Sequence, residues 1–293
     1  MKFRLWRLVG VLGTLSCLIL FAFNPSFPTP DKILVFLTFV FMMFGSAKEL
    51  LKRLLPFVGL LLVYESFRGL VPKLNSHVNY TWMPRVDRLL FGELPTITFQ
   101  RWWWHGHVQW YDFVFYLPYV LHFIMPIGLA LLVWRYREKL YWRVVTTFLV
   151  VSFLGFVTFL AFPAAPPWLA SDKGYITHIE RISSDVWYSL GFKDFPSVYN
   201  KISPNPVAAV PSLHAAYATL VFLFVYRLFG KKWGLLALLQ PLLIYIGTVY
   251  QGEHYMIDEL IGGLYALVAY MGVKLFWEKV LPNWQKSGMF SRK

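Results

Sequence analysis

Long apolar runs, rather than the alternation that half-buried strands would show, set the hydrophobic pattern of this chain. Residues 8–23, 33–47 and 54–67 form three early runs, each shorter than the roughly 20 residues of a straight bilayer crossing. Five later runs follow at 113–134, 144–162, 207–229, 233–250 and 255–273. The 144–162 run holds no charged residue, which suits a span or a wholly buried helix. The pattern predicts an all-α polytopic membrane helix bundle of about eight spans, with six as the lower bound. The opening MKFRLWR and the run behind it have the outline of a secretory signal. No small-x-small site follows, and Asn24-Pro25-Ser26 reads as a turn, so 8–23 is expected to remain as a first span. Residues 1–70 then hold the early spans and 71–112 a Trp-rich segment expected along the membrane surface. Residues 113–277 form the main membrane domain, with an outer loop at 163–206, and 278–293 a cytosolic tail.

Composition agrees with that outline: 57% hydrophobic, 19% aromatic and 15% charged is not a soluble balance. The net charge of +13 suggests nucleic acid only until the cations are placed. Most of the 28 Lys and Arg sit in short clusters at residues 2–7, 48–53, 135–143, 227–232 and beyond 274, between apolar runs. There they orient a membrane protein with its N-terminus inside, and nucleic-acid binding is set aside. Cys17 is the single cysteine, so no intramolecular disulfide is possible.

Two stretches carry candidate chemistry. NPVAAVPSLHAAY, Asn205 to Tyr217, and YQGEHYMIDELIGG, Tyr250 to Gly263, each place a histidine beside the start of an apolar segment. On a helix, His254 and Asp258 at i and i+4 share a face. A carboxylate on one ring nitrogen fixes the tautomer and leaves the other nitrogen nucleophilic. With His214 to protonate a departing oxygen, the set suits phosphoryl transfer through a phosphohistidine. Pro211 and Ser212 set a helix start whose N–H groups would receive phosphate oxygens, which makes Ser212 a phosphate ligand or a helix cap. Glu253 precedes His254 with no His-Glu-x-x-His around it, so a zinc site is disfavoured, and the reading needs no metal and no cofactor.

These stretches resemble the second and third signatures of the type 2 phosphatidic acid phosphatase superfamily, a Pro-Ser-x-His box and a His-x-x-x-Asp box. Leu213 after the serine and the Gly-x-His-Tyr-x-x-Asp form of the second box are similar to the branch containing the fungal inositol phosphorylceramide synthases. VDRLLFGELPT and YESFRGL extend the likeness upstream. The resemblance implies a phosphatidic-acid-phosphatase-like core in the last five spans and His254, His214 and Asp258 as catalytic residues. It also implies a lipid phosphate substrate, with transfer to a hydroxyl acceptor favoured over hydrolysis by water. Two departures stand out. The family's Ser-Arg pair ahead of the catalytic histidine is here Gly247 and Thr248, and no Lys-x6-Arg-Pro box is present.

The phosphate-binding cations are therefore sought elsewhere. Arg68 at the end of the third run is the first candidate, with Tyr64 one turn before it expected to join it in substrate binding, and Lys201 is the second. Arg101, beside three tryptophans, reads better as an interface residue. His122, mid-span, lines the site or bonds a neighbouring helix. Glu65 and Asp87 are expected to pair with Arg68 and Arg88. A lipid phosphate phosphatase is the first alternative. A proton-coupled transporter is a remote one, since transport sites lie near the midplane whereas His214 and His254 fall at span ends. The site is expected to face the non-cytosolic side of the plasma membrane.

Overall fold

A computed structural model describes residues 2–25, 28–191 and 205–282, so Lys201 lies outside the described residues. Within them the chain is helical and no strand is assigned, as membrane apolar runs require if every backbone group is to be satisfied within its own segment. The helices are α1 (Lys2–Phe23), α2 (Pro30–Met43), α3 (Ala47–Arg68), α4 (Val71–Leu74), α5 (Trp82–Phe91), α6 (Pro95–Trp103), α7 (Trp110–Val120) and α8 (Ile124–Arg137). They continue with α9 (Tyr141–Ala161), α10 (Pro167–Asp172), α11 (Ile182–Ser189), α12 (Leu213–Phe229), α13 (Lys231–Ala237), α14 (Leu239–Tyr250) and α15 (Met256–Leu275).

Five stretches are long and apolar enough to cross a membrane: Leu5–Phe23, Ala47–Leu74, Ile124–Ala161, Lys231–Tyr250 and Met256–Val280. Leu213–Phe229 is a shorter apolar helix. The chain is an integral membrane protein. Ile124–Ala161 contains a charged turn, so it covers parts of two expected spans. The expected set of about eight spans, with six as the lower bound, differs from the observed helices in four places. The 33–47 run falls on α2, only 14 residues long. The 113–134 run breaks at residues 121–123, between Pro118 and Pro126, and the 233–250 run breaks at Leu238, just before Pro241. Prolines interrupt the i to i−4 ladder in each case. The helix expected over 207–229 begins only at Leu213, because the preceding residues are extended: Ala164 forms parallel bridges to Asn79 on one side and Ala208 on the other.

The main core joins α3, α8, α9, α12 and α15 through Phe57, Phe148, Tyr217, Leu220, Phe224 and Ala266. α15 crosses the start of α12 at a glycine: a Cβ on Gly262 would stand 2.2 Å from the Ser212 carbonyl oxygen. Small residues there let two backbones touch, which is how membrane helices gain contact without a hydrophobic driving force. At the N-terminal end of α9, Arg53 pairs with Glu138, and Arg143 with Glu278 at 3.1 Å. The Asn79–Ala164–Ala208 bridges follow its C-terminal end. The 21 residues of α9, at about 1.5 Å per residue, separate this basic end from the bridged end by roughly 30 Å.

Candidate active site

The site forms where α14 turns into α15. Gly252 has φ +79°, a backbone favoured by glycine, and a Cβ there would meet the Glu180 carbonyl oxygen at 2.8 Å. The turn folds back on α14, with the N–H groups of Glu253 and His254 donating to the Thr248 carbonyl at 2.9 and 3.2 Å. Tyr255 caps α15, and Asp258 Oδ2 accepts the Tyr255 N–H at 2.9 Å. The helical His254–Asp258 face expected from the spacing is thus corrected: His254 precedes the helix. Asp258 reaches back over the cap, bringing Oδ2 to 3.6 Å from His254 Nδ1, an ion-pair separation rather than a hydrogen bond. Burial opposes a charge on His254, but the Asp258 carboxylate, with Glu259 and Glu253 behind it, outweighs that and holds the imidazole above its ordinary range.

The other ring nitrogen of His254 faces its counterpart on α12. His214 Nδ1 lies 3.3 Å from His254 Nε2. Ser212 is the α12 N-cap, its Oγ accepting the Ala215 N–H at 3.2 Å, and its own N–H donates to the Asp258 carbonyl at 3.0 Å. The cap reading of Ser212 is thus the geometry observed. One hydrogen bond therefore ties the two histidine-bearing segments together. The His214 ring stacks on Tyr119 at 4.4 Å between centroids, and the His122 ring lies tilted against it, also at 4.4 Å. His122 in turn stacks on Tyr217 at 4.5 Å. Tyr119 lies in the last turn of α7 and His122 in the break that follows.

Behind the histidines lie polar residues that sequence reasoning missed or misassigned. Asp87 does not pair with Arg88 as expected: it accepts the N–H groups of Met256 and Ile257, each at 2.9 Å, capping the first turn of α15. Burial raises the Asp87 carboxyl to about 6, against those two hydrogen bonds. Asp112 accepts the Tyr250 hydroxyl at 2.7 Å, and Gln100 donates to the carbonyls of Tyr250 and Glu180 at 2.9 and 2.8 Å. Glu259 accepts the Thr248 hydroxyl at 2.7 Å. Arg181 donates to Glu253 Oε1 at 2.9 Å and lies 4.1 Å over the Trp168 ring. The one signal available was an acidic residue inside apolar surroundings.

The PAP2 superfamily model matches residues 81–272, the span that runs from α5 into α15 and contains every residue just described. The chain belongs to the PAP2 superfamily. It is 35% identical over 167 residues to the phosphoinositol dihydroceramide synthase of Bacteroides thetaiotaomicron, covering 54% of this chain and 53% of that one. It is 25% identical over 230 residues to the inositol phosphorylceramide synthase of Candida albicans, covering 72% and 44%. A third relative, the inositol phosphorylceramide synthase catalytic subunit of Schizosaccharomyces pombe, is 26% identical over 170 residues, covering 54% and 35%. The matches thus span about half or less of the length of these relatives. No solved structure matches the chain.

This PAP2 chain departs from the family's Ser-Arg pair for visible reasons. Gly247 lies against Phe115, whose carbonyl oxygen would be 3.0 Å from a Cβ, and Thr248 is committed to Glu259. Arg68 donates to Glu65 at 2.9 Å, the pairing expected for it, and lies close enough to His122 and His214 to interact with both electrostatically. Tyr64 is buried in the core with its ring edge against Phe153. The Trp-rich segment divides: Trp102 and Trp110 are exposed, whereas Trp103 packs on Phe115 and Tyr250.

Proposed function

We propose that the chain is a membrane lipid phosphotransferase that moves a phospho-headgroup, by analogy with its relatives a phosphoinositol group, onto the hydroxyl of a ceramide-like acceptor. The observation that carries it is the linear order Asp258 Oδ2, His254 Nδ1, His254 Nε2 and His214 Nδ1, with gaps of 3.6 and 3.3 Å outside the imidazole ring. His254 Nε2 attacks phosphorus, Asp258 stabilises the charge that the ring acquires, and His214 protonates the leaving lipid oxygen. In the second half His214 takes a proton from the acceptor hydroxyl, whose oxygen displaces His254. The 3.3 Å separation leaves no room for phosphorus between the two rings, so substrate parts them on entry. Arg68 is the cation proposed for the phosphate oxygens, and no metal takes part in this scheme. His122 and Ser212 complete the walls.

The site is proposed to face the non-cytosolic side of the plasma membrane, because Arg135, Arg137, Lys139 and Arg143 gather at the opposite end of α9. Positions at helix starts and turns, rather than mid-helix, speak against a transporter. The test is to incubate purified protein with phosphatidylinositol and ceramide and identify every phosphorus-containing product. Phosphoinositol ceramide is expected. Inositol phosphate as the sole product, with ceramide present, would support the hydrolytic reading instead, and unchanged lipid would overturn both.

A further inference from the structure

Beside the two histidines lies a cavity of about 240 Å³ that the transfer steps above leave unused. Tyr119, Arg181, Ser183, Ser184, Trp187 and Glu253 line it. Two of its walls are shared with the reacting groups: Glu253 directly precedes His254, and Tyr119 stacks on His214. Glu253 Oε1 accepts from Arg181 Nε at 2.9 Å and from the Ser183 hydroxyl, so carboxylate, guanidinium and hydroxyl are already oriented. The volume falls below the roughly 300–1,000 Å³ of pockets for drug-sized ligands, which suits one hydroxylated ring and not a lipid tail.

Resting on the phosphotransferase reading, we propose that this cavity binds the polyol head group of a phosphodiester lipid and retains it between the two halves of the reaction. The bond accounting keeps the polyol beside the cavity throughout. In the first half the bond from His254 Nε2 to phosphorus forms as the bond from phosphorus to the lipid alcohol breaks, and the His214 proton goes to the departing oxygen. In the second half the acceptor hydroxyl gives its proton to His214, its oxygen binds phosphorus, and the His254 bond breaks. The bond from polyol oxygen to phosphorus never breaks. The polyol stays while one lipid leaves and another arrives, and Glu253 and Arg181 supply the acceptor and donor fork that hydroxyl groups need. A phosphomonoester lipid has nothing to place there.

Ser184 is half-buried on the cavity wall, so Ser184→Leu fills the space without touching either histidine. The readout is a ratio of kcat/KM values, phosphatidylinositol over phosphatidic acid, measured on the same preparation so that loss of folded protein cancels. The ratio is expected to fall about tenfold in Ser184→Leu and in Glu253→Gln. An unchanged ratio in both variants overturns the proposal. If wild-type protein consumes neither lipid, the phosphotransferase reading has failed separately. Saturation-transfer NMR with free myo-inositol then decides the cavity: binding to wild type that is lost in Ser184→Leu supports it, and equal or absent binding overturns it.

Discussion

The N-terminal helix pair and the floor of the site handle the same solvent problem in opposite ways. α1 shows apolar side chains to its surroundings on nearly every face, with Leu5 61% and Leu20 63% exposed, and it holds to α2 through Gly10 and Gly13 against Phe39 and Met43. The floor buries Asp87, Asp112, Asp258 and Glu259 completely. A carboxylate at such depth is costly unless it is hydrogen-bonded, and each of these accepts from a backbone N–H, a tyrosine or a threonine. Apolar exposure therefore places the protein in the bilayer, and buried acids mark where the fold holds a geometry that packing alone would not select. The comparison breaks if disturbing the acids is harmless or disturbing the helix pair abolishes turnover.

The largest effect is expected at the two histidines proposed to react. With a labelled substrate carrying a good leaving group and quenching in alkali, label should appear on His254 in wild type and in His214→Ala, and none in His254→Ala. Asp258→Asn should slow its formation, since it removes the buried carboxylate 3.6 Å from His254 Nδ1 that favours a positive charge on the ring. Turnover without acid-labile label, and sensitive to chelators, would remove the phosphohistidine scheme.

Arg68 comes next. Arg68→Lys keeps a charge beside Glu65 but replaces a planar fork by a point charge, and a loss of about tenfold in kcat/KM with unchanged expression is expected. Wild-type rates in Arg68→Lys and Arg68→Ala together would confine the residue to its ion pair with Glu65.

Asp87→Asn should lower turnover severalfold by loosening the first turn of α15, and it carries a pH signature. Because burial lifts the native carboxyl to about 6, above its unfolded value of 3.8, the folded state binds more protons between those values. The Asp87 contribution to stability therefore falls as pH rises from about 4 to about 6 and is level beyond. The Tm difference between wild type and Asp87→Asn, followed across that range, should shift against wild type. A difference independent of pH would show that Asp87 is not the buried acid described.

How much of this was readable beforehand depends on the range of each interaction. The helical membrane character was legible because apolar runs are local and long. The two boxes at Pro211 to His214 and His254 to Asp258 were legible as stretches, but their 3.3 Å meeting is not in any spacing. Asp87 was misassigned to Arg88 because its partners lie 169 and 170 residues away, in the first turn of α15. Arg181 sits just before α11 in a loop region with no periodicity to flag it, and only its contact with Glu253 brings it to the site. The late start of α12 was hidden because Val207 to Val210 are as apolar as a span, while the bridge to Ala164 depends on chain brought in from α9.

The smallest effect is expected from the helix pair. At Gly10 an added Cβ would stand 2.7 Å from the Met43 backbone nitrogen and 2.9 Å from the Phe39 carbonyl oxygen, so relief requires the two helices to part rather than a side chain to turn. Gly10→Val should therefore lower Tm in detergent by a few degrees, in line with the roughly 1–3 kcal/mol of an overpacked contact. Leu20→Ala, on the exposed face, should leave Tm within about one degree, because an exposed surface substitution is usually worth less than about 0.5 kcal/mol. Neither residue touches the histidines or the acids beneath them, and turnover by folded Gly10→Val protein should stay within about twofold of wild type. A loss of an order of magnitude in that variant, with the α14–α15 region still protected from hydrogen exchange, would mean that the helix pair shapes the site from a distance. The division between a lipid-facing anchor and an acid-supported floor would then have to be abandoned.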